Sequence, residues 1–203
     1  MNRQDIDFVQ SSINYQFKNL QLLEQAFTRR SYSEEHPEVQ NNEVLEFYGD
    51  EILDFFVTKM MYKRFSRILN NELVSEKNEG ELTKLKSILV SKESLAHCMY
   101  NIGFSKFLYL GKSDEKNEVY KSKSVNEDLF EAIIGAVAAD CDWNYENLEK
   151  VCKTMLDMET TNGYLALLVK EKSHRLGFGE PCYRPLAWQT DNPEDWQSDN
   201  LFN

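Results

Sequence analysis

Apolar residues along the chain recur at helical spacing and rarely alternate. Leu20, Leu23, Ala26 and Phe27 fall three and four apart, with Leu22 alongside, until the Pro37 region interrupts them. Asn42 to about Phe65 is the most apolar stretch: Val44, Leu45, Phe47, Tyr48, Ile52, Leu53, Phe55, Phe56, Val57, Met60 and Met61 lie on most sides of a helix. That pattern predicts a central, largely buried helix. Leu73 to Leu95 predicts a further helical stretch or pair, striped by Leu82, Leu85, Ile88, Leu89 and Leu95. From Gly103 to Lys123 the periodicity lapses into a connection. A helix is expected to begin near Ser124, where Ser124-Val-Asn-Glu127 fits a capping box, and to carry Ile133, Ile134, Ala136, Val137 and Ala138. Another is expected over Asn147 to Met158, and Thr160 to Gly163 reads as a boundary. Strand signals are weak and no repeat is visible. The expectation is an all-α domain over 1–159, followed by a short, different segment over 160–203.

Two pairs of acids interrupt the apolar helices. Glu46 and Asp50 are four apart, and Asp128 and Glu131 are three apart, so each pair shares a helix face. Such pairs also occur on solvated helix faces or in salt bridges to lysines. Here both pairs sit in the most apolar helices, where an uncompensated carboxylate is costly and a hard cation compensates it. Packed together, the two helices would converge four oxygen donors, a set that suits Mg²⁺ or Mn²⁺ rather than soft metals. Gly49 and Gly135 omit side chains and would let helices approach closely there.

Composition narrows the partners. The 203 residues are 41% hydrophobic and 12% aromatic, which is globular rather than disordered. A net charge of −11 argues against a simple electrostatic nucleic-acid binder, yet suits an enzyme whose carboxylates hold metal ions. Cys98, Cys141, Cys152 and Cys182 stand singly, without a C-x-x-C pair, and read as reduced thiols. The three histidines are scattered. The N-terminal residues lack signal-peptide character, and no apolar run approaches the roughly 20 residues that span a bilayer. The expectation is a cytoplasmic protein with no membrane partner and no nucleotide cofactor.

The words around the acids carry a resemblance. Asn42-Glu-Val-Leu-Glu-Phe-Tyr-Gly-Asp50 resembles the N-E-x-L-E-F-L-G-D signature helix of the bacterial-type ribonuclease III family. Asp128-Leu-Phe-Glu-Ala-Ile-Ile-Gly-Ala136 resembles its D-x-F-E-A-I-I-G-A helix. Between them, Glu79-Gly-Glu-Leu-Thr-Lys-Leu-Lys86 is similar to its E-G-x-L-T/S-x-x-K/R segment, followed by Leu-Val-Ser-Lys-Glu-Ser-Leu95. Upstream, Asn14-Tyr-Gln-Phe-Lys-Asn19 looks like the family's opening helix, and Ala26-Phe-Thr-Arg-Arg-Ser-Tyr32 like its "THRSY" stretch. The resemblance runs in order from about Ile6 to Met158. Departures are small: Tyr48 replaces the usual Leu, Glu51 a small residue, and Arg29-Arg30 a frequent His-Arg pair.

The resemblance implies an endoribonuclease that cuts double-stranded RNA to 5′-phosphate and 3′-hydroxyl products with short 3′ overhangs, in rRNA and mRNA precursor processing. It makes Glu46, Asp50, Asp128 and Glu131 ligands of two Mg²⁺ ions per site, with Mn²⁺ able to substitute. Asp50 and Glu131 would be catalytic, and Glu43 and Glu79 supporting acids. A homodimer is implied, with Phe47 and the apolar flank through Phe55 at its seam, core filling being the other reading of those aromatics. Lys84, Lys86, Lys121 and Lys123 are candidate phosphate contacts, solvated surface charge being the other reading. Selectivity for the duplex would follow from A-form groove geometry.

The C-terminal stretch is less clear. Gly163 to Gly177 looks like the first helix of a double-stranded-RNA-binding domain, and Gly179-Glu-Pro-Cys-Tyr183 like the start of its first strand. After that the similarity stops, and Pro185 to Asn203 holds no Lys or Arg. A truncated or diverged remnant is expected, an ordinary docking helix being the other reading. Two rivals to the enzyme stand: a non-catalytic dimeric RNA-binding or ribosome-associated protein that kept the fold, and an acidic helical interaction module. The first would be expected to lose metal ligands, and the second leaves the ordered motifs unexplained.

Overall fold

The computed structural model describes residues 1–156. The expected boundary at 159/160 and the RNA-binding-domain-like segment lie outside the described residues. The helices are α1 (Arg3–Ser12), α2 (Leu20–Ala26), α3 (Arg30–Glu35), α4 (Glu43–Phe65), α5 (Glu79–Leu89), α6 (Lys92–Ile102), α7 (Lys112–Lys116), α8 (Lys123–Asp140) and α9 (Tyr145–Met155). A two-stranded antiparallel hairpin, β1 (Ser66–Leu69) and β2 (Glu72–Ser75), joins α4 to α5.

The fold is built around α8. Every residue from Leu129 to Ala138 is buried, and α2, α4, α6 and α9 pack against it. Ten successive buried positions, nine of them apolar or glycine and the tenth Glu131, need neighbours on all sides, which is why this helix becomes the axis of the bundle. The long α4 turns Leu45, Gly49, Ile52, Leu53, Phe56, Val57, Met60 and Met61 inward. Local chemistry sets the ends of several helices. Asn2 with Asp5, and Asn78 with Glu81, form reciprocal capping boxes on α1 and α5. Gly103, at φ +78°, closes α6 in the left-handed conformation.

Four expectations are corrected. First, α4 is not buried on most sides: Val44, Phe47, Tyr48, Phe55 and Tyr62 form an exposed apolar stripe, Phe47 being 64% exposed. Second, Leu73 belongs to β2 rather than to a helix. Asn70 and Asn71 both take positive φ, the conformation of a tight hairpin turn, so the chain reverses before α5 starts at Glu79. Third, α8 begins at Lys123 with Ser122 as its N-cap, and no Ser124 capping box forms. Its first turn is fixed instead by the buried Asn126, whose amide donates to Tyr120 O and Ser122 O at 2.8 Å and whose Oδ1 accepts from Ser105 Oγ. Fourth, Asn14 to Asn19 is a loop. Its backbone is clasped by the buried Asp140 carboxylate, which accepts from Tyr15 Oη, Lys18 N and Asn19 N at 2.8–2.9 Å. Three donors aimed at one carboxylate outweigh the local helical preference of the segment.

The α4–α8 crossing is a very close approach. A Cβ on Gly49 would lie 1.8 Å from the Glu131 carbonyl oxygen, and one on Gly135 would lie 2.0 Å from that of Leu45. Each helix thus presses a carbonyl into the other's glycine. In an open helix Gly→Ala would gain up to about 1 kcal/mol in propensity. Here the obstacle is backbone, which no rotamer change relieves, so the clash dominates. Gly49→Ala and Gly135→Ala are each expected to cost about 3 kcal/mol or prevent folding. Gly80→Ala, whose Cβ would meet only Asn78 Oδ1 at 3.5 Å, should be neutral or slightly stabilising. Urea melts of the three variants check this ordering.

Candidate active site

The same crossing sets the position of the acids. Gly49 directly precedes Asp50 and lies three residues after Glu46, while its obstacle is the backbone of Glu131. Glu46 is half-buried, Asp50 exposed, and Glu131 only 9% exposed. Burial is the first cause that pushes the Glu46 carboxyl up to about 7, followed by repulsion from Asp128. Burial likewise raises Glu131 to about 8, followed by repulsion from Asp50, Glu127, Glu46 and Asp128. Asp50 is raised as well, by burial and then by Asp54 and Glu51. Both expected pairs therefore face one another across the two helices, close enough to hinder each other's ionisation.

Asp128 has a partner of its own. Arg29 donates from Nη1 to Asp128 Oδ2 at 2.6 Å, with both side chains about four-fifths buried. Arg29 also lowers the Glu46 carboxyl, against the other causes. Among the described residues no three acidic, histidine or cysteine side chains gather tightly enough to enclose a metal ion. The donor chemistry nevertheless fits a hard divalent cation. Four carboxylates from two rigid helices repel one another, and within this cluster a single protein cation, Arg29, is paired with one of them.

The supporting acids are more peripheral. Glu43 lies in the first turn of α4 and pairs with Arg30 at 3.6 Å. Glu79 lies in the first turn of α5 and accepts from Thr83 Oγ1 at 2.9 Å. Three of the candidate lysines are ion-paired within the protein: Lys86 with Asp54 at 2.6 Å, Lys121 with Glu118 at 2.6 Å and Lys123 with Glu93 at 3.2 Å. Lys84 is an exposed residue of α5.

Two neighbours of the cluster, Glu127 and Arg29, were not assigned to the site from sequence. Glu127 repels Glu131 and Glu46, and pairs with Lys92 at 3.5 Å. Its place four residues before Glu131 was the available signal. Arg29 offered no comparable signal, because it reaches Asp128 across 99 positions of sequence.

Comparison with known proteins agrees with this architecture. Residues 19–158 match the ribonuclease-III-like family, and the chain belongs to that family. It is 97% identical over all 203 residues to ribonuclease 3 of Treponema succinifaciens, covering 55% of that protein. It is 44% identical over 171 residues to ribonuclease 3 of Roseburia hominis, covering 48% of it. The chain thus spans about half the length of these curated relatives. Among solved structures it resembles the nuclease domain of ribonuclease III from Campylobacter jejuni, with TM-score 0.64 and 28% identity. That match covers 75% of this chain and 96% of the other.

The raised carboxyls give a pH dependence of defined sign. Folded Glu46 and Glu131 hold protons that the unfolded chain releases near its ordinary carboxylate range. Their contribution to stability is therefore greatest at low pH and is lost as pH rises through about 7 and then about 8. In EDTA, Glu131→Gln should flatten the decline in Tm between about pH 5 and pH 8. An identical decline in wild type and variant would contradict the assignment.

Proposed function

We propose that this chain supplies the nuclease part of a metal-dependent endoribonuclease that cuts double-stranded RNA. The observation that carries the reading is the facing of Glu46 and Asp50 with Asp128 and Glu131 across a glycine-to-carbonyl crossing. The names of the relatives and the match over residues 19–158 support it. Among the described residues no helix is long and apolar enough to cross a membrane.

In this reading the four carboxylates hold Mg²⁺, replaceable by Mn²⁺, at two ions per site. Bound there, the ions would supply an activated water and charge neutralisation at the departing 3′ oxygen. The protein's part is placement. Glu131 is set in the buried middle of α8, flanked by the fully buried Phe130, Ala132, Ile133 and Ile134. Its side chain has little room to wander, which suits a group that must hold one geometry. Asp50, exposed beside it, faces the solvent from which an RNA strand would arrive. Glu43, which repels Glu46, would be a supporting acid at the rim, and Glu79 on α5 is proposed as a further one.

Phosphate contacts would fall to Lys84, Lys86, Lys121 and Lys123. The pairs of Lys121 and Lys123 do not forbid this: exposed pairs are worth about 0–1 kcal/mol, so a phosphate can replace the carboxylate, while the part-buried pair of Lys86 with Asp54 is harder to open. The exposed stripe of α4 is proposed as the seam of a homodimer. Val44, Tyr48, Phe55 and Tyr62 fall in one line along the helix, with Phe47 beside them. An apolar line of that length on an exposed helix marks an interaction surface. The rest of the reading is 5′-phosphate and 3′-hydroxyl products with short 3′ overhangs, made in the cytoplasm from structured RNA precursors.

Two experiments test it. A labelled RNA duplex with Mg²⁺ should be cut by the wild-type chain and bound but left intact by Glu131→Gln, with a loss of at least about 10³-fold in rate. No cleavage by the wild type with Mg²⁺ or Mn²⁺ would favour a non-catalytic binding protein instead. Separately, Phe55→Glu should convert a dimer to a monomer in light scattering without lowering helix content. A wild-type chain that is already monomeric would remove the seam from the proposal.

A further inference from the structure

One basic residue inside the acid cluster remains to be accounted for. Arg29 caps the start of α3, and its backbone N–H donates to Tyr109 O at 3.1 Å. Just before it, Thr28 O accepts from the backbone of Asn42, the buried residue that opens α4. The Arg29 backbone is therefore pinned at the N-terminal end of α4 independently of its side chain. From there the guanidinium reaches Asp128 on α8 at 2.6 Å, with a side-chain exposure of 21% against 20% for its partner. Its Nε is buried and has no hydrogen-bond partner among the described residues. The side chain thus leaves a donor unsatisfied while meeting Asp128, so charge rather than hydrogen-bond economy sets its place.

The charges around it are unequal. Glu46, Asp50, Asp128 and Glu131 face one another, with Glu127 beside them paired to Lys92. The other nearby cations, Lys92 and Lys86, engage Glu127 and Asp54 at the edge of the cluster. Arg29 is in direct contact with an acid of the central four, whereas Lys86 acts on Asp50 at longer range. A fixed positive charge in that position does two opposed things. It stabilises the acids when no metal is bound, and it opposes a dication drawn to the same oxygens.

We propose that Arg29 is a resident counter-ion of the acid cluster, competing with divalent metal for the negative charge of Asp128. It is a positioning residue that acts through Asp128, and it sets how much metal the site needs. This inference rests on the metal-site reading of the four carboxylates. It makes Arg29 a determinant of metal affinity rather than a contact to RNA.

The test is Mn²⁺ alone, titrated calorimetrically into the full chain and followed in parallel by thermal melts in EDTA and in Mn²⁺. Arg29→Met should melt below wild type in EDTA, bind Mn²⁺ roughly tenfold more tightly, and gain more Tm from the metal. Arg29→Lys, which keeps the charge, should restore both values towards wild type. A merely structural role would lower the melting point without tightening the metal. If Arg29→Met does not fold, Arg29→Gln, which can still donate to Asp128, carries the same comparison. Wild-type binding with unchanged or weaker binding in the neutral variant overturns the competition and leaves the metal site standing. No Mn²⁺ binding by either protein overturns the metal site and this inference with it.

Discussion

The α4–α8 contact is the constraint on which the rest of the structure depends. Gly49 and Gly135 each accept the carbonyl of the opposite helix where any other residue would place a Cβ within about 2 Å of it. Such an approach excludes side chains from the contact line, so polar residues at its edges are drawn inward with the backbone. Glu46 and Asp50 flank Gly49, and Glu131 lies on the carbonyl that presses against it. Close packing and convergence of the acids are one event, not two. The apolar surroundings hold it: buried α8, with α2, α6 and α9 around it, leaves little freedom for the helices to slide apart.

Burial of that kind has an electrostatic cost, and its compensation is unevenly distributed. Glu127, Asp54 and Glu43 lie towards the margin and pair with Lys92, Lys86 and Arg30. At the centre Asp128 has Arg29, and Glu46 and Glu131 meet mainly other acids and apolar groups. The deepest acid, Glu131, is also the one raised furthest, to about 8. A structural salt-bridge network would satisfy its interior first. Here Asp128 and Glu127 are paired while Glu46 and Glu131 are raised by burial and by neighbouring acids, a pattern that suits the proposed cation site.

Much of this was legible in the sequence, for identifiable reasons. The acid pairs were visible because i, i+3 and i, i+4 spacing survives any packing of the helix that carries it. The two glycines were visible as gaps in otherwise bulky helices. What the sequence hid were features settled by distant partners. The Asn14–Asn19 loop depends on Asp140, more than 120 positions away. The exposed stripe on α4 could not be told from core by composition, because Phe47 and Phe56 look alike until the fold buries only one of them, against Tyr145 of α9. The hairpin was recoverable in principle: Asn70-Asn71 between Ile68-Leu69 and Leu73-Val74 is a turn signal. Reading Leu73 into the following helical stripe concealed it. The capping box at Ser124 failed for a different reason. Buried Asn126 organises the start of α8 from inside, two residues beyond the expected cap.

The raised carboxyls also bear on how such a site would operate. Near neutral pH, Glu46 and Glu131 are only partly ionised in the metal-free protein, since their carboxyls lie at about 7 and about 8. Protons and Arg29 therefore already carry part of the compensation that a dication would bring. On the proposed reading, a metal ion entering the cluster would displace protons from the two glutamates, so apparent affinity would rise with pH. It would also contend with the guanidinium at Asp128, whose charge does not titrate in this range. The first competitor fades as the solution becomes more alkaline, while the second stays constant. The pH profile of metal binding thus separates them: protonation sets its slope, and Arg29 sets the level at which it saturates.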